Sequence, residues 1–243
     1  MVFSSYYFRF SLLGTILGIA GILVFSSLGY WQVERAEYKK NLEQEIVIRN
    51  NSPAIALNVS IKDISQNYYR HVKVKGVYDV THEVLMDNKI HQGEAGYHVY
   101  TPLVLDGSDT VIMINRGWLK GGHDRQSIPE TSVTGGLIEL SGRLHPLPSK
   151  PPLVLENNMD PGKRWIYFDA EKYGKITGLK LLPAIILLDK NEVDGYIRDW
   201  PKYDAKVSMH IGYSFMWFTF AIIVLVTYIG VNLKKQMVND VNN

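Results

Sequence analysis

Two long stretches without a charged side chain frame this chain: Phe10 to Val33 and Val207 to Leu233. At 1.5 Å per helical residue, each is long enough to cross a hydrocarbon layer of roughly 30 Å. In such a layer a lone segment satisfies its backbone donors and acceptors only as a helix. The expected spans are Phe10 to Tyr30 and His210 to Val231. The first is read as an uncleaved anchor, because only Arg9 marks a basic leading region and no small-residue cleavage site follows. The first nine residues also lack the Arg- and Ser-rich character of an organelle transit peptide, which favours a bacterial membrane.

Two spans place both termini on one side and the residues between them on the other. The expected organisation is a cytoplasmic N-terminus (1–9), a span (10–30), a periplasmic β-rich domain with a helical stalk (31–209), a second span (210–231) and a cytoplasmic tail (232–243). Arg9, Lys234 and Lys235 are outnumbered by Arg35, Lys39, Lys40, Lys202 and Lys206. The positive-inside rule applies to short loops, so charge does not orient this chain. Gly14, Gly18, Gly21 and Gly29 form a smooth stripe on which the second span, or a partner helix, can approach closely.

After the first span, Tyr38, Leu42 and Ile46 recur every four residues among charges, which predicts that the helix continues into water as an amphipathic stalk. Asn50, Asn51, Ser52 and Pro53 end it. Strands are expected at Tyr69 to Tyr78, His82 to Asp87, Tyr97 to Leu105, Thr110 to Trp118, Leu137 to Leu144, Leu153 to Leu155, Trp165 to Phe168 and Ile185 to Leu188. Asn88 to Gly93 and Asp106-Gly107 read as hairpin turns. Asp169 is the expected N-cap of a short helix ending near Gly174 or Gly178. The fold class is therefore an α+β membrane protein, a two-helix transmembrane hairpin with a mostly antiparallel β domain built as a sheet or small barrel.

The chemistry is bounded largely by what the sequence lacks. Its 243 residues carry a net charge of +2 and no cysteine, which removes thiolate metal sites, disulfides and covalent haem attachment and gives a phosphate backbone little to bind. There is no G-x-S-x-G, H-E-x-x-H, P-loop or G-x-G-x-x-G, so no enzyme is expected. His91 and His98 flank a turn, yet two lone histidines in a β region are ordinarily solvated or hydrogen-bonded.

His210 differs, since an imidazole at the start of an apolar span sits at the interface or has a partner. Lys206 precedes it by four residues, and Tyr213, Ser214 and Trp217 follow at helical spacing. A haem suits that face, with His210 as axial iron ligand, the macrocycle along Tyr213 and Trp217, and its propionates reaching Lys206 or Arg35. The plainer reading makes His210 and Trp217 interfacial anchors.

Taken in order, the residues resemble the surfeit locus protein 1 family of cytochrome c oxidase assembly factors. The resemblance rests on Gly29-Tyr30-Trp31-Gln32 with Arg35 and Lys39, on Gly76 with Tyr78, and on Gly93 with Gly96-Tyr97-His98-Val99-Tyr100-Thr101-Pro102-Leu103. It continues through Asn115-Arg116-Gly117-Trp118, Gly142-Arg143-Leu144, Trp165 and Asp169, and ends with His210, Tyr213, Trp217 and Phe218. Ser208-Met209, Met216 and Lys89 depart from the family's usual residues. The resemblance implies an outer-face domain, in the bacterial periplasm or the mitochondrial intermembrane space, that matures oxidase subunit I, with the haem a synthesis machinery as a further partner; with the first nine residues unlike a transit peptide, the expected location is the bacterial inner membrane. The resemblance also implies haem a contact through His210. The alternative is a cofactor-free chaperone that steadies an assembly intermediate. Asn115, Arg116, Gly117 and Trp118, like Trp31 and Gln32, stand as partner-contact or architectural residues.

Overall fold

A computed structural model of the chain describes residues 6–57, 63–122, 128–149 and 162–235. The expected strand at Leu153 to Leu155 and the polar tail Asn239 to Asn243 lie outside the described residues. In chain order the elements are β1 (Tyr6–Phe8), α1 (Leu12–Asn51), β2 (Ile55–Leu57), β3 (His71–Tyr78), β4 (Val84–His91), β5 (Glu94–Leu105), β6 (Thr110–Lys120), β7 (Ile138–Pro146), β8 (Arg164–Trp165), α2 (Ala170–Thr177), β9 (Lys180–Leu188), α3 (Val207–Asn232) and β10 (Leu233–Lys235). They form two units, Met1–Glu45 with Tyr203–Asn243, and Ile46–Lys202.

The first unit is an antiparallel helical hairpin, and α1 and α3 are both long and apolar enough to cross a membrane. The glycine stripe is used within the hairpin. A Cβ on Gly18 would lie 3.3 Å from the Tyr228 ring, one on Gly21 3.3 Å from Val224, and one on Gly29 2.8 Å from Phe218. Without the bulk of side chains on α1, the large residues of α3 seat directly against its backbone. Phe25 stacks on Trp217 with ring centres 5.8 Å apart, and the Thr15 and Tyr228 hydroxyls bond at 2.8 Å. The open ends are tied by β1 pairing with β10, a short ribbon with no period-2 apolar pattern to announce it.

As the stalk pattern predicts, α1 continues unbroken to Asn51, and the Ser52 hydroxyl donates to the Ile48 carbonyl at 2.9 Å. Of the three stalk apolar residues, Ile46 is buried, whereas Tyr38 is exposed and lies under Arg35.

The second unit is built on a closed five-stranded barrel in the order β3, β7, β9, β6, β5 and back to β3. Its pairings are antiparallel except β6 with β9. Outside the barrel β2 runs parallel to β3, β4 antiparallel to β5, and β8 parallel to β4. Alternation on β3 directs Val72, Val74 and Tyr78 inward, where they meet Leu103, Ile112, Ile114, Leu140, Ile186 and Leu188. Closure requires glycine at position 76, because a Cβ there would collide with the Val104 carbonyl oxygen. The central strand β6 is buried on both faces, because Met113 points out of the barrel to Trp165, Phe168 and Tyr173 beneath α2. The cap residues of α2 are those expected: Asp169 accepts from the Lys172 N–H, and Gly178 ends the helix at φ 71°.

Three local expectations are corrected. The Asn88 to Gly93 break is mostly strand, since β4 runs to His91 and the tight turn is Gln92-Gly93; the irregularity nearer Asp87 is a bulge with Asn88 at φ 60°. At its start, β9 reaches back to Lys180 through Pro183, which is tolerated where the β6 register shifts between Val111 and Met113. Of the predicted Trp165 to Phe168 run only Trp165 is strand, at the end of β8, and Phe168 turns into the core instead.

Inside the second unit Glu83 and Arg116 are buried together, with Glu83 Oε2 2.9 Å from Arg116 Nη1. Lys163 stands 2.9 Å from the other carboxylate oxygen, and the Thr101 and Thr131 hydroxyls donate to the same group. Burial pushes the Glu83 carboxyl up, but hydrogen bonds from Thr101, Thr131 and Lys163 outweigh it, so its pKa lies below the usual value.

Three predictions follow from this architecture. Gly29→Leu should overpack the hairpin and destabilise it by about 1–3 kcal/mol, whereas Gly212→Leu, with nothing within 4 Å of its Cβ, should not; detergent unfolding followed by tryptophan fluorescence measures both. Glu83→Ala leaves a buried guanidinium without its carboxylate and should cost about 3–5 kcal/mol in urea unfolding. Burial lowers the pKa of His98 and His145 to about 4. Their neutral forms thus favour the fold above the ordinary value of 6.5, and that contribution is lost as the pH falls from 6.5 toward 4; Glu83 adds a further loss below its ordinary value of 4.5. The melting temperature should drop over that window, and the double variant His98→Gln/His145→Gln should flatten its slope.

Candidate functional site

Within the hairpin, two of the sequence-selected residues, Gln32 and His210, meet in one hydrogen bond. His210 lies in the first turn of α3 and Gln32 on α1, 178 residues apart in sequence, with Nδ1 of the imidazole 2.8 Å from the Gln32 amide oxygen. An amide oxygen only accepts, so this pairing is made by an Nδ1–H donor; in the Nδ1–H tautomer the ring's lone pair lies on Nε2. Among the described residues Nε2 has no hydrogen-bond partner. The α1 side of the pair is buried, with Gln32 at 9% exposure, while His210 is half-buried.

The other residues selected from sequence are placed around this pair differently. Tyr213 is exposed one turn along α3, and Trp217, two turns along, packs on Phe25 and Phe220. Trp31 is exposed beside Gln32, and Arg35 lies one α1 turn beyond it with its guanidinium 5.3 Å from the Tyr38 ring centre. Lys206 is corrected: it is the N-cap of α3 at φ 56° rather than a member of the helical face, and its ammonium pairs with Asp204 at 2.9 Å. The chain must turn sharply there to enter α3, which the bare four-residue spacing does not reveal.

The second candidate group, Asn115 to Trp118, lies in the other unit, in the second half of β6. Every nitrogen of the Arg116 guanidinium is engaged: Nε donates to the Asp194 carbonyl at 2.6 Å, Nη1 to Glu83 at 2.9 Å and Nη2 to the Ser132 carbonyl. Its plane lies 5.1 Å from the Tyr196 ring centre and 5.5 Å from that of Tyr78. Gly117 has φ 118°, and a Cβ there would meet the Ile197 carbonyl oxygen at 2.7 Å. This lets residues 196–197 bond alongside, with the Trp118 N–H donating to Ile197 and the Tyr196 N–H to Arg116. Trp118 is buried and its indole N–H donates to the Lys89 carbonyl at 2.8 Å, while Asn115 bonds His98 Nδ1 at 3.4 Å. These four residues tie crossing segments to the barrel.

Beside Trp118 an open cavity of about 440 Å³ is lined by His91, Glu94, Lys190, Tyr196, Arg198 and Asp199. Its charges are largely satisfied from within, since Lys190 bonds Asp199 at 3.2 Å, Glu94 pairs with Lys120, and Arg198 donates to the carbonyls of Asp189 and Glu192. His91 and His98 rest against Trp118 and Trp200 respectively. Among the described residues no three His, Asp or Glu side chains gather as metal ligands.

Sequence reasoning did not single out Glu83, whose pairing with Arg116 spans 33 residues, nor link Gln32 to His210. Neither pairing leaves a periodic signal. The nearest clue to the second is that Gln32 is polar at the edge of an apolar helix, where a buried amide needs a partner.

Comparison with known proteins places this geometry in a lineage. Residues 19–222 match the SURF1 family. The chain is 30% identical over 169 residues to Surfeit locus protein 1 of Gallus gallus, an alignment covering 62% of this chain and 53% of that protein. With Surfeit locus protein 1 of Homo sapiens it shares 29% over 170 residues, covering 62% and 55%. A SURF1-like protein of Caenorhabditis briggsae aligns over 241 residues at 24% identity, covering 89% and 74%. The matched region spans about half the length of the two vertebrate relatives. Since the family match runs from the first apolar helix through the barrel into the second, the chain belongs to the SURF1 family.

Proposed function

We propose that this protein is a membrane-anchored, non-enzymatic assembly factor for a haem–copper terminal oxidase, which binds haem a through His210 and helps deliver it to subunit I. The single observation that carries the reading is the Gln32–His210 bond, which presents Nε2 in the lone-pair form that an iron requires.

The surrounding residues fit such a group. His210 would supply the axial nitrogen, the exposed Tyr213 ring an apolar flank, and Arg35 the nearest exposed cation on α1 for a propionate. Trp217, held by Phe25 and Phe220, would close the membrane side of the site. Lys206 is a weaker candidate, because Asp204 already neutralises it. Haem a supplies the iron centre that the oxidase needs; this chain's residues bind it, orient it and limit water around it.

The location that goes with this reading is the bacterial inner membrane, with residues 46–202 on the periplasmic side. Subunit I and the haem a synthesis machinery would be the partners. The cofactor-free chaperone reading loses one support: Gly18, Gly21 and Gly29 are covered by α3 and are not open to a partner helix.

Protein purified in detergent after coexpression with haem a synthesis should carry a Soret band, and His210→Ala should lower haem affinity roughly tenfold or more. An unaltered spectrum would remove His210 from the mechanism. Intact oxidase assembly in the His210→Ala strain would favour the chaperone.

A further inference from the structure

Among the described residues, the buried polar side chains of the hairpin are Gln32, Ser214 and Asn232. Two of them are satisfied within their own helix: the Ser214 hydroxyl donates to the Ile211 carbonyl at 2.8 Å, and the Asn232 amide to the Tyr228 carbonyl at 2.7 Å. Gln32 is the exception, since it reaches across to His210 on the other helix. A primary amide in an apolar surrounding is costly unless bonded, and helix-to-helix packing here is already supplied by the glycine stripe lower in the hairpin. The amide is therefore not needed to bring the helices together.

We propose that Gln32 is a positioning residue that selects the tautomer of His210. By accepting from Nδ1–H it keeps the proton off Nε2 and fixes the rotation of the ring about its long axis, so that the lone pair faces away from α1. This rests on the haem-binding reading of His210 and deepens it. Ligating histidines are typically held in this way by an acceptor on the other ring nitrogen, and loss of that acceptor costs about 10–100-fold in metal affinity. The hairpin's second task is thus to carry that acceptor: the close seating of Phe218 on Gly29, one helical turn below Gln32, sets the helix separation at which a glutamine spans the gap.

The test uses the full chain in detergent or nanodiscs with 15N-labelled histidine, the His210 signal being identified by its loss in His210→Ala. In the haem-free protein His210 should be protonated at Nδ1. Gln32→Leu, close in volume but unable to accept, should convert His210 to a mixture of tautomers and weaken haem binding about 10–100-fold. Gln32→Glu, which still accepts, should restore the Nδ1–H form and most of the binding. A melting temperature for each variant separates this effect from loss of the hairpin. Protonation at Nε2 in the wild type, or an unchanged tautomer in Gln32→Leu, overturns the proposal. If the tautomer behaves as expected but His210→Ala leaves haem binding intact, the haem reading fails while the role of Gln32 toward His210 stands.

Discussion

The close seating of α3 against the glycine face of α1 is the constraint on which the hairpin's candidate site depends. In a lipid environment no hydrophobic force draws two apolar helices together, so their association rests on van der Waals fit and a few polar contacts. Tyr228 on Gly18, Val224 on Gly21 and Phe218 on Gly29 supply that fit along some three turns. They also fix the register. With α1 and α3 antiparallel at this separation, Gln32 and His210 come opposite one another at one end, and β1 meets β10 at the other. The meeting of His210 with a buried amide is thus a consequence of where small residues fall on α1.

The barrel unit uses a different economy. Its core is an ordinary interleaving of Val, Ile and Leu, but its crossing segments are gathered by charge, with Arg116 bonded to Glu83 and to the carbonyls of Asp194 and Ser132. A buried ion pair is not in itself stabilising relative to an apolar core, but removing one member is expensive. The arrangement joins β6 to the segments that carry Glu83, Ser132 and Asp194. With every guanidinium nitrogen committed inside the unit, Arg116 is a structural residue here, and any partner surface must draw on side chains around it.

Much of this fold was legible in the sequence, and the physical reasons differ by element. Both apolar helices could be read because absence of charge over a bilayer's thickness is a strong signal; the stalk, because Tyr38, Leu42 and Ile46 keep helical spacing. The Asp169 and Gly178 caps were readable because each has a specific backbone reason. The bulge at Asn88, the passage of β9 through Pro183 and the non-helical backbone of Lys206 were not, since each is imposed by neighbours that pair only in three dimensions. The same holds for the site. His210 could be selected as an imidazole at the head of an apolar span, but the acceptor that makes it chemically distinctive lies 178 residues away, on a helix whose relevant pattern is one of small residues.

In the proposed function, Nε2 of His210 binds the iron of haem a. Resonance Raman and electron paramagnetic resonance spectra of the purified, pigmented protein address it directly. An iron with a histidine axial nitrogen whose signature disappears in His210→Ala is the expected result; haem bound with no histidine ligand, or with the same ligand signature after that substitution, would overturn the assignment.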